Sequence, residues 1–331
     1  MSASQPEPQH TAPVVWCVGL TTLDVIHRVT EPPNANQKVT AVRQDVAAGG
    51  PAANAAVTAA ALGATAVLIS ALGDSPIAAA AKADLAAHEV KMLDVTADAA
   101  QPYPLAVSSV TVTDENGERT VVSADAALTT VAGPTSGDLT AIAKEYGYPA
   151  VVLLDGHHPE IARAVVDWVE NTVIPGQPEP RIVLDCGRWR PVFAELFNVA
   201  EVVACSSDFV MPNSADDDDD DTTEDTIGAV LDELAQAVVV TNGGGPVRYE
   251  TQEGLEGSVT VPPVTARDTL GAGDAFHGAL AVAIARRGTK ADGTLIDIDD
   301  ILPLVIADAV AVASERVQHI GPRDWLATLR T

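Results

Sequence analysis

Basic residues are scarce in this chain: 19 Lys and Arg stand against 46 Asp and Glu, a formal net charge of −27. That balance excludes non-specific binding to nucleic acid or to an anionic membrane, both of which need a basic surface. Any anionic ligand must therefore be drawn in by local amides and cations rather than by the global field. Aromatics make up only 4% of the residues, and the three cysteines, Cys17, Cys186 and Cys205, show no CxxC spacing. Each lies in or beside an apolar run, which reads as a reduced core thiol rather than a disulfide or a metal ligand. No apolar stretch is long enough to span a bilayer. The opening MSASQPEPQHTAP has no basic region followed by an apolar run, so the expected address is the cytoplasm. There is no GxxxxGK[ST] loop, which excludes a P-loop enzyme, and no GxGxxG after the first apolar run, which counts against a dinucleotide fold.

The 331 residues that are present are 47% hydrophobic, enough for either one large α/β domain or a large domain plus a small appendage. Residues 1–13 read as a polar tail, and 14–325 as the folded domain. VVWCVGL, AVVLLD, RIVLDC, EVVACS and AVVVT are continuous apolar runs of the kind buried on both faces of a parallel sheet. Helical segments alternate with them, among them PAANAAVTAAALG, PEIARAVVDWVENTV and a short one near Arg190–Phe197. The alternation predicts a doubly wound, mainly parallel sheet flanked by helices, with right-handed crossovers. Ligands should gather at the carboxyl ends of its strands, where Asp24, Gly49, Asp155, Asp185, Ser206 and Asn242 are expected. Two further segments, about 24–46, which alternates loosely around PPNAN, and 105–123, which alternates with period two around Asn116-Gly117, predict a small β lid outside the main sheet. The acidic run within 214–225 lacks the spacing and glycine of an EF-hand loop and reads as a solvated mobile loop.

The stretch ARDTLGAGDAFHGALAVAIARRG, residues 266–288, organises the rest. Gly271, Ala272 and Gly273 precede a helical pattern, so they sit at a helix N-terminus, where unpartnered amides and the helix dipole form an anion site. A carboxylate in the mouth of such a site repels what the amides attract unless it has a chemical task. Asp274 is therefore the candidate catalytic base.

DTLGAGDAFHGALA resembles the C-terminal signature of the ribokinase-like sugar kinases, the PfkB family, and GGPAANAAVTAAALGATAVLISALGD at 49–74 is similar to its N-terminal signature. GLTTLDVIHRV and RDTLGAGDAF look most like the ketohexokinase branch. The resemblance implies an ATP- and Mg²⁺-dependent kinase acting on a hydroxyl of a small sugar or sugar-like alcohol, with Asp274 as base and the 271–273 loop as anion hole. It implies sugar contacts from Asp24, Gly49, Gly50, Asn54 and Asp155, and a lid that covers the sugar and pairs two subunits as a homodimer. It places the nucleotide against Ser206, Thr241, Asn242, Gly243 and Gly244, and a monovalent cation, K⁺, near Asp268. Nucleoside kinases of the same family and a catalytically silent sugar-binding regulator are the alternatives.

The chain departs from the family pattern in two places. Pro51 stands where relatives carry a side-chain donor, and His157, His158, Arg188 or Arg190 could replace that contact or read an anionic group on the substrate. CSSDF at 205–209 stands where many members have Asn-x-x-Glu, so Ser206 or Asp208 would have to serve the Mg²⁺ shell through water.

Overall fold

The computed structural model describes residues 12–97, 102–126, 129–212, 222–290 and 292–330. Most of the tail and the acidic run at 216–221 lie outside the described residues. Strand β1 (Val14–Val18) is buried along nearly its whole length. The chain then leaves the main sheet for β2 (Thr22–Val29) and β3 (Arg43–Gly49). Helix α1 (Pro51–Ala61) opens with proline at its first position, β4 (Thr65–Ser70) returns to the core, and α2 (Pro76–Ala87) starts on a Ser75 side chain that accepts the Ala78 amide. β5 (Lys91–Asp94), β6 (Val107–Thr113), β7 (Arg119–Val122) and α3 (Ser136–Tyr146) follow.

From there strand and helix alternate: β8 (Val151–Leu154), α4 (Pro159–Asn171), β9 (Arg181–Cys186), α5 (Phe193–Leu196), β10 (Val202–Ser206), α6 (Thr222–Asp232) and β11 (Ala237–Thr241). The chain closes with β12 (Val247–Thr251), β13 (Glu256–Val259), α7 (Ala272–Arg287) and α8 (Ile298–Val317).

The main sheet has nine strands in the order β13-β12-β11-β10-β9-β8-β1-β4-β5, parallel from β11 to β5 with an antiparallel pair at one edge. This is the expected doubly wound α/β architecture. Strand order reverses between β1 and β8, the switch point that opens a crevice beyond the strand ends. Helices α1 and α7 pack on β1, α8 packs on α7, and α4 brings Trp168 into a stack on Trp16 with ring centroids 5.0 Å apart. All three cysteines are free and buried.

A second, four-stranded sheet, β3-β2-β6-β7, takes up the positions expected of the lid. Its inner face places Ile26, Val110 and Val112 against Leu270, so this sheet is packed directly on the segment that enters α7. One expectation changes here: Asp24 does not end the first core strand but lies inside β2, pairing with Ala47 of β3, because the chain has already turned out of the main sheet after Val18. Helix α6 also begins earlier than its apolar residues suggest, at Thr222.

Candidate active site

Gly271 adopts a left-handed backbone, φ +70°, and caps α7. That conformation is one glycine enters without strain. The Leu270 amide donates to Asp268 Oδ1 at 3.1 Å and the Ala272 amide to the Thr269 carbonyl at 3.3 Å. Of the anion hole expected at 271–273, the Ala272 amide is therefore already engaged, and the amides of Gly271 and Gly273, with that of Asp274 beside them, are the ones the first helical turn does not itself satisfy. Gly273 is exposed and faces open space.

Asp274 is partly buried at the mouth of this turn. Asn54 Nδ2 donates to its Oδ2 at 2.8 Å. Asn54 is in turn held through its Oδ1 by Arg323 Nη1 at 3.2 Å, and Arg323 is anchored on Asp84 at 3.0 Å and on the Ala48 carbonyl at 2.6 Å. This chain of donors requires α1 and α7 to touch. Gly278 permits it, since a Cβ there would lie 2.5 Å from the Ala55 carbonyl oxygen. Burial and then the nearby Asp185 carboxylate push Asp274 up to about 6, against the Asn54 hydrogen bond that favours the charged form. His277, one turn further along α7, faces Asp185 with Nδ1 to Oδ2 at 2.9 Å. Burial opposes its positive charge, but Asp185 outweighs burial and raises its pKa.

Beside the loop lies a cleft of about 680 Å³ between the ends of β10 and β11, the second sheet and α8. Ser206, Thr241, Gly243, Gly244 and Gly273 line it, so five sequence-predicted positions from three distant segments meet there. Asn242 is exposed at the turn, where its carbonyl accepts the Gly245 amide at 2.7 Å. Asp208 is an exposed carboxylate on the cleft wall, and its amide donates to Ser206 Oγ at 3.2 Å. Among the described residues, no cluster of three or more His, Cys, Asp or Glu side chains is placed to hold a metal ion.

On the other side of Asp274, Asp24 and Asn54 border the same small cavity, of about 20 Å³, as Gly271. Asp24 accepts from Thr22 Oγ1 at 2.6 Å, and burial raises its pKa. Gly49 packs so closely on this carboxylate that a Cβ would fall 2.1 Å from it, and Gly50, φ +92°, turns the chain into α1.

Asp155 directly follows β8, at the strand end where it is expected, but its carboxylate is already engaged. It is 3% exposed, and its oxygens accept the amides of Leu20 (2.8 Å), Ala52 (3.1 Å) and His157 (2.9 Å), so it braces the strand ends instead of offering a free acceptor. His157 lies between two carboxylates, Nδ1 to Asp155 and Nε2 to Asp125, each at 3.1 Å. Burial disfavours its charge, but Asp155 and Asp125 prevail and hold it at about 9. Arg190 contacts both His157 and Asp125. His158 is buried edge-on to Tyr103, whereas Arg188 is exposed.

Asp268 is 2% exposed and sits beneath the loop rather than on the cleft wall. The arginines around it were not singled out in the sequence: Arg28 from β2 and Arg316 from α8 both approach its carboxylate at 3.6 Å. Arg119 from β7 was missed as well. It lines the cleft and donates to Thr269 Oγ1 at 3.0 Å, while Thr269 Oγ1 donates to the Gly117 carbonyl at 3.1 Å, clasping the lid turn to the loop. Among the described residues no helix is long and apolar enough to cross a membrane.

The fold is that of solved sugar kinases. A ribokinase from Giardia lamblia is similar with TM-score 0.71 at 18% identity, covering 96% of each chain. A fructokinase from Xylella fastidiosa with bound ATP matches at TM-score 0.67 and 19% identity, covering 96% of this chain and 97% of that one. An Arabidopsis thaliana ribokinase complexed with ribose and ATP matches at TM-score 0.66 and 18% identity, over 97% and 99%. At these identities the likeness establishes the architecture. The model of the pfkB family carbohydrate kinases matches residues 13–328, both signature stretches and the residues lining the cleft included, and the chain belongs to that family.

Proposed function

We propose that this chain transfers the γ-phosphoryl group of ATP to a hydroxyl of a small sugar or sugar-like alcohol, with Asp274 taking the hydroxyl proton. One observation carries the reading: a carboxylate pushed up to about 6 stands in the first turn of a helix that a left-handed glycine opens. Phosphoryl transfer asks little else of a protein than alignment, stabilisation of developing charge and a group to accept the proton. The amides of Gly271, Gly273 and Asp274 would meet the transferred group, and Arg119 would add a positive charge from the lid. A pKa near the working pH suits a general base, worth roughly 10²–10⁴ in rate.

Adenine and ribose would lie along the 680 Å³ cleft against the Gly243-Gly244 turn. The relatives solved with ATP support this placement. Among the described residues of the cleft wall, Asp208 is the exposed carboxylate, with Ser206 beside it, a set suited to a Mg²⁺ ion held mainly by phosphates and water. Bound there, Mg²⁺ would neutralise phosphate charge.

Asp24, the Gly49–Gly50 backbone and Asn54 would orient the acceptor, with Asp155 supporting them from behind. The lid's outer face supports a homodimer. Val46, Val25, Ser109 and Val122 form one row across its four strands, with Val46 51% and Val122 70% exposed.

Incubating the purified chain with Mg·ATP and a panel of ketohexoses, aldopentoses and nucleosides tests the reading. Phosphorylation of a ketohexose or pentose is expected. Turnover confined to adenosine would move the assignment to a nucleoside kinase, and binding without any turnover would indicate a silent regulator.

A further inference from the structure

The oxygens around Asp268 that a monovalent cation would need are already occupied. Its Oδ1 accepts the Leu270 amide at 3.1 Å and faces Arg316 Nη2 at 3.6 Å. Its Oδ2 accepts the Gly321 amide at 3.0 Å and faces Arg28 Nη2 at 3.6 Å. The neighbouring carbonyls are spent in the same way. Arg28 Nη2 donates to the Arg267 carbonyl at 2.7 Å, and Arg316 Nη1 donates to the His319 carbonyl at 3.0 Å and lies 3.5 Å from that of Asp268. Side chains of all three partners, Arg28, Asp268 and Arg316, are 5% exposed or less.

An added cation would find a single carboxylate shared by two fixed like charges, and among the described residues the carbonyls of Arg267 and His319 already accept from those same guanidinium groups.

We propose that this chain carries its loop-setting cation as a side chain: the Arg316 guanidinium, with Arg28 opposite, takes the place of a monovalent cation at Asp268. Three elements are fixed to one carboxylate by this arrangement. Arg28 brings the lid strand β2, Arg316 the end of α8, and Gly321 the C-terminal segment, while the Leu270 amide bonded to the same carboxylate sets the entry to Gly271. A guanidinium suits the task because its planar, permanently charged fork can engage a carboxylate and several carbonyls at once. Arg316 acts here as a positioning residue. It reaches the chemistry through Asp268 and the loop, and the inference rests on the reading of that loop as a phosphate site.

The test compares salts of equal ionic strength, tetramethylammonium against potassium chloride. Binding of Mg·ADP is followed by calorimetry, and crystals soaked in thallium(I) are examined for anomalous density. For the wild type, affinity should be the same in both salts and no thallium peak should lie within coordinating distance of Asp268. A potassium-dependent gain of about fivefold or more, the lower end of ordinary coupling between sites, or a thallium peak at Asp268, would overturn the proposal.

Arg316→Ala should weaken Mg·ADP by about tenfold in tetramethylammonium and recover in potassium, because the ion can then enter the space vacated. A defect equal in both salts would make Arg316 merely structural and would also overturn it. Should Arg316→Ala fail to fold, Arg28→Gln carries the same comparison. Since the thallium map is read without turnover, a wild type that binds no nucleotide would sink the kinase reading while the map still decides this one.

Discussion

Replacing Asp274 with asparagine should make the protein more stable and nearly inactive at once. The carboxyl is pushed from its ordinary 3.8 to about 6, and at 1.36 kcal/mol per unit this corresponds to about 3 kcal/mol in favour of the protonated form. The sign follows from linkage. A carboxyl with a raised pKa in the folded state holds its proton more tightly there than in the unfolded chain. Its favourable contribution is complete below the unfolded value and disappears as pH rises through about 6.

Above that pH the folded enzyme carries a charge it would rather shed, and a neutral amide removes the strain. The side chain is only partly buried, and a neutral oxygen accepts the Asn54 hydrogen bond less strongly, so a net gain of about 1–2 kcal/mol is expected. Over 331 residues, with an unfolding entropy of roughly 2.1 cal/mol/K per residue, that is a rise in melting temperature of about 2 °C at pH 8 and none near pH 4. Turnover should fall by roughly 10²–10⁴ while nucleotide affinity is kept. Thermal melts across pH, paired with turnover at each pH, check both halves. A variant that is less stable at pH 8, or equally active, would refute the assignment of this carboxylate as a strained base.

The pH profile of kcat/KM should have an ascending limb near about 6, activity being lost below it as the base becomes protonated. Asp185→Asn, which removes the nearest negative neighbour, should move that limb to lower pH; an unmoved limb would separate Asp185 from the site. Gly278→Ala would force α1 away from α7 and break the Asn54–Asp274 contact, costing roughly 1–3 kcal/mol of stability and lowering kcat more than it raises KM. Denaturant melts and steady-state kinetics measure both, and wild-type values would discount the close approach. Val122→Asp, placed in the exposed valine row of the lid, should shift the chain from dimer to monomer by light scattering; an unchanged mass would remove the lid from any interface.

The parts of the fold written in local pattern were legible in the sequence. Continuous apolar runs marked the buried parallel strands, Asn116-Gly117 marked the lid turn, and Gly271 to Asp274 marked a helix N-terminus with a carboxylate in it. Residues whose roles come only from tertiary meeting were not legible. Arg28 sits in a strand, VIHRV, and Arg316 in a helix, SERV, with nothing near either in sequence to say that both point at Asp268. The one available signal was that each basic residue interrupts an apolar face. Asp24 was placed on the wrong strand because Gly19 and Leu20 end a core strand without a loop long enough to announce that the next strand belongs to another sheet. Asp155 showed the position of a ligand-binding carboxylate but not that three backbone amides had already claimed it. Helix α8, with an acidic first turn and Pro303 within it, gave no clean apolar stripe, and the arginine near its end went unread with it.

The most direct measurement is a crystal structure of the chain with Mg²⁺ and a non-hydrolysable ATP analogue. The terminal phosphate should accept hydrogen bonds of about 3 Å from the amides of Gly271 and Gly273, with the Asp274 carboxylate facing the adjoining sugar pocket. A phosphate tail bound elsewhere in the cleft, or an Asp274 side chain turned away from it, would contradict the account.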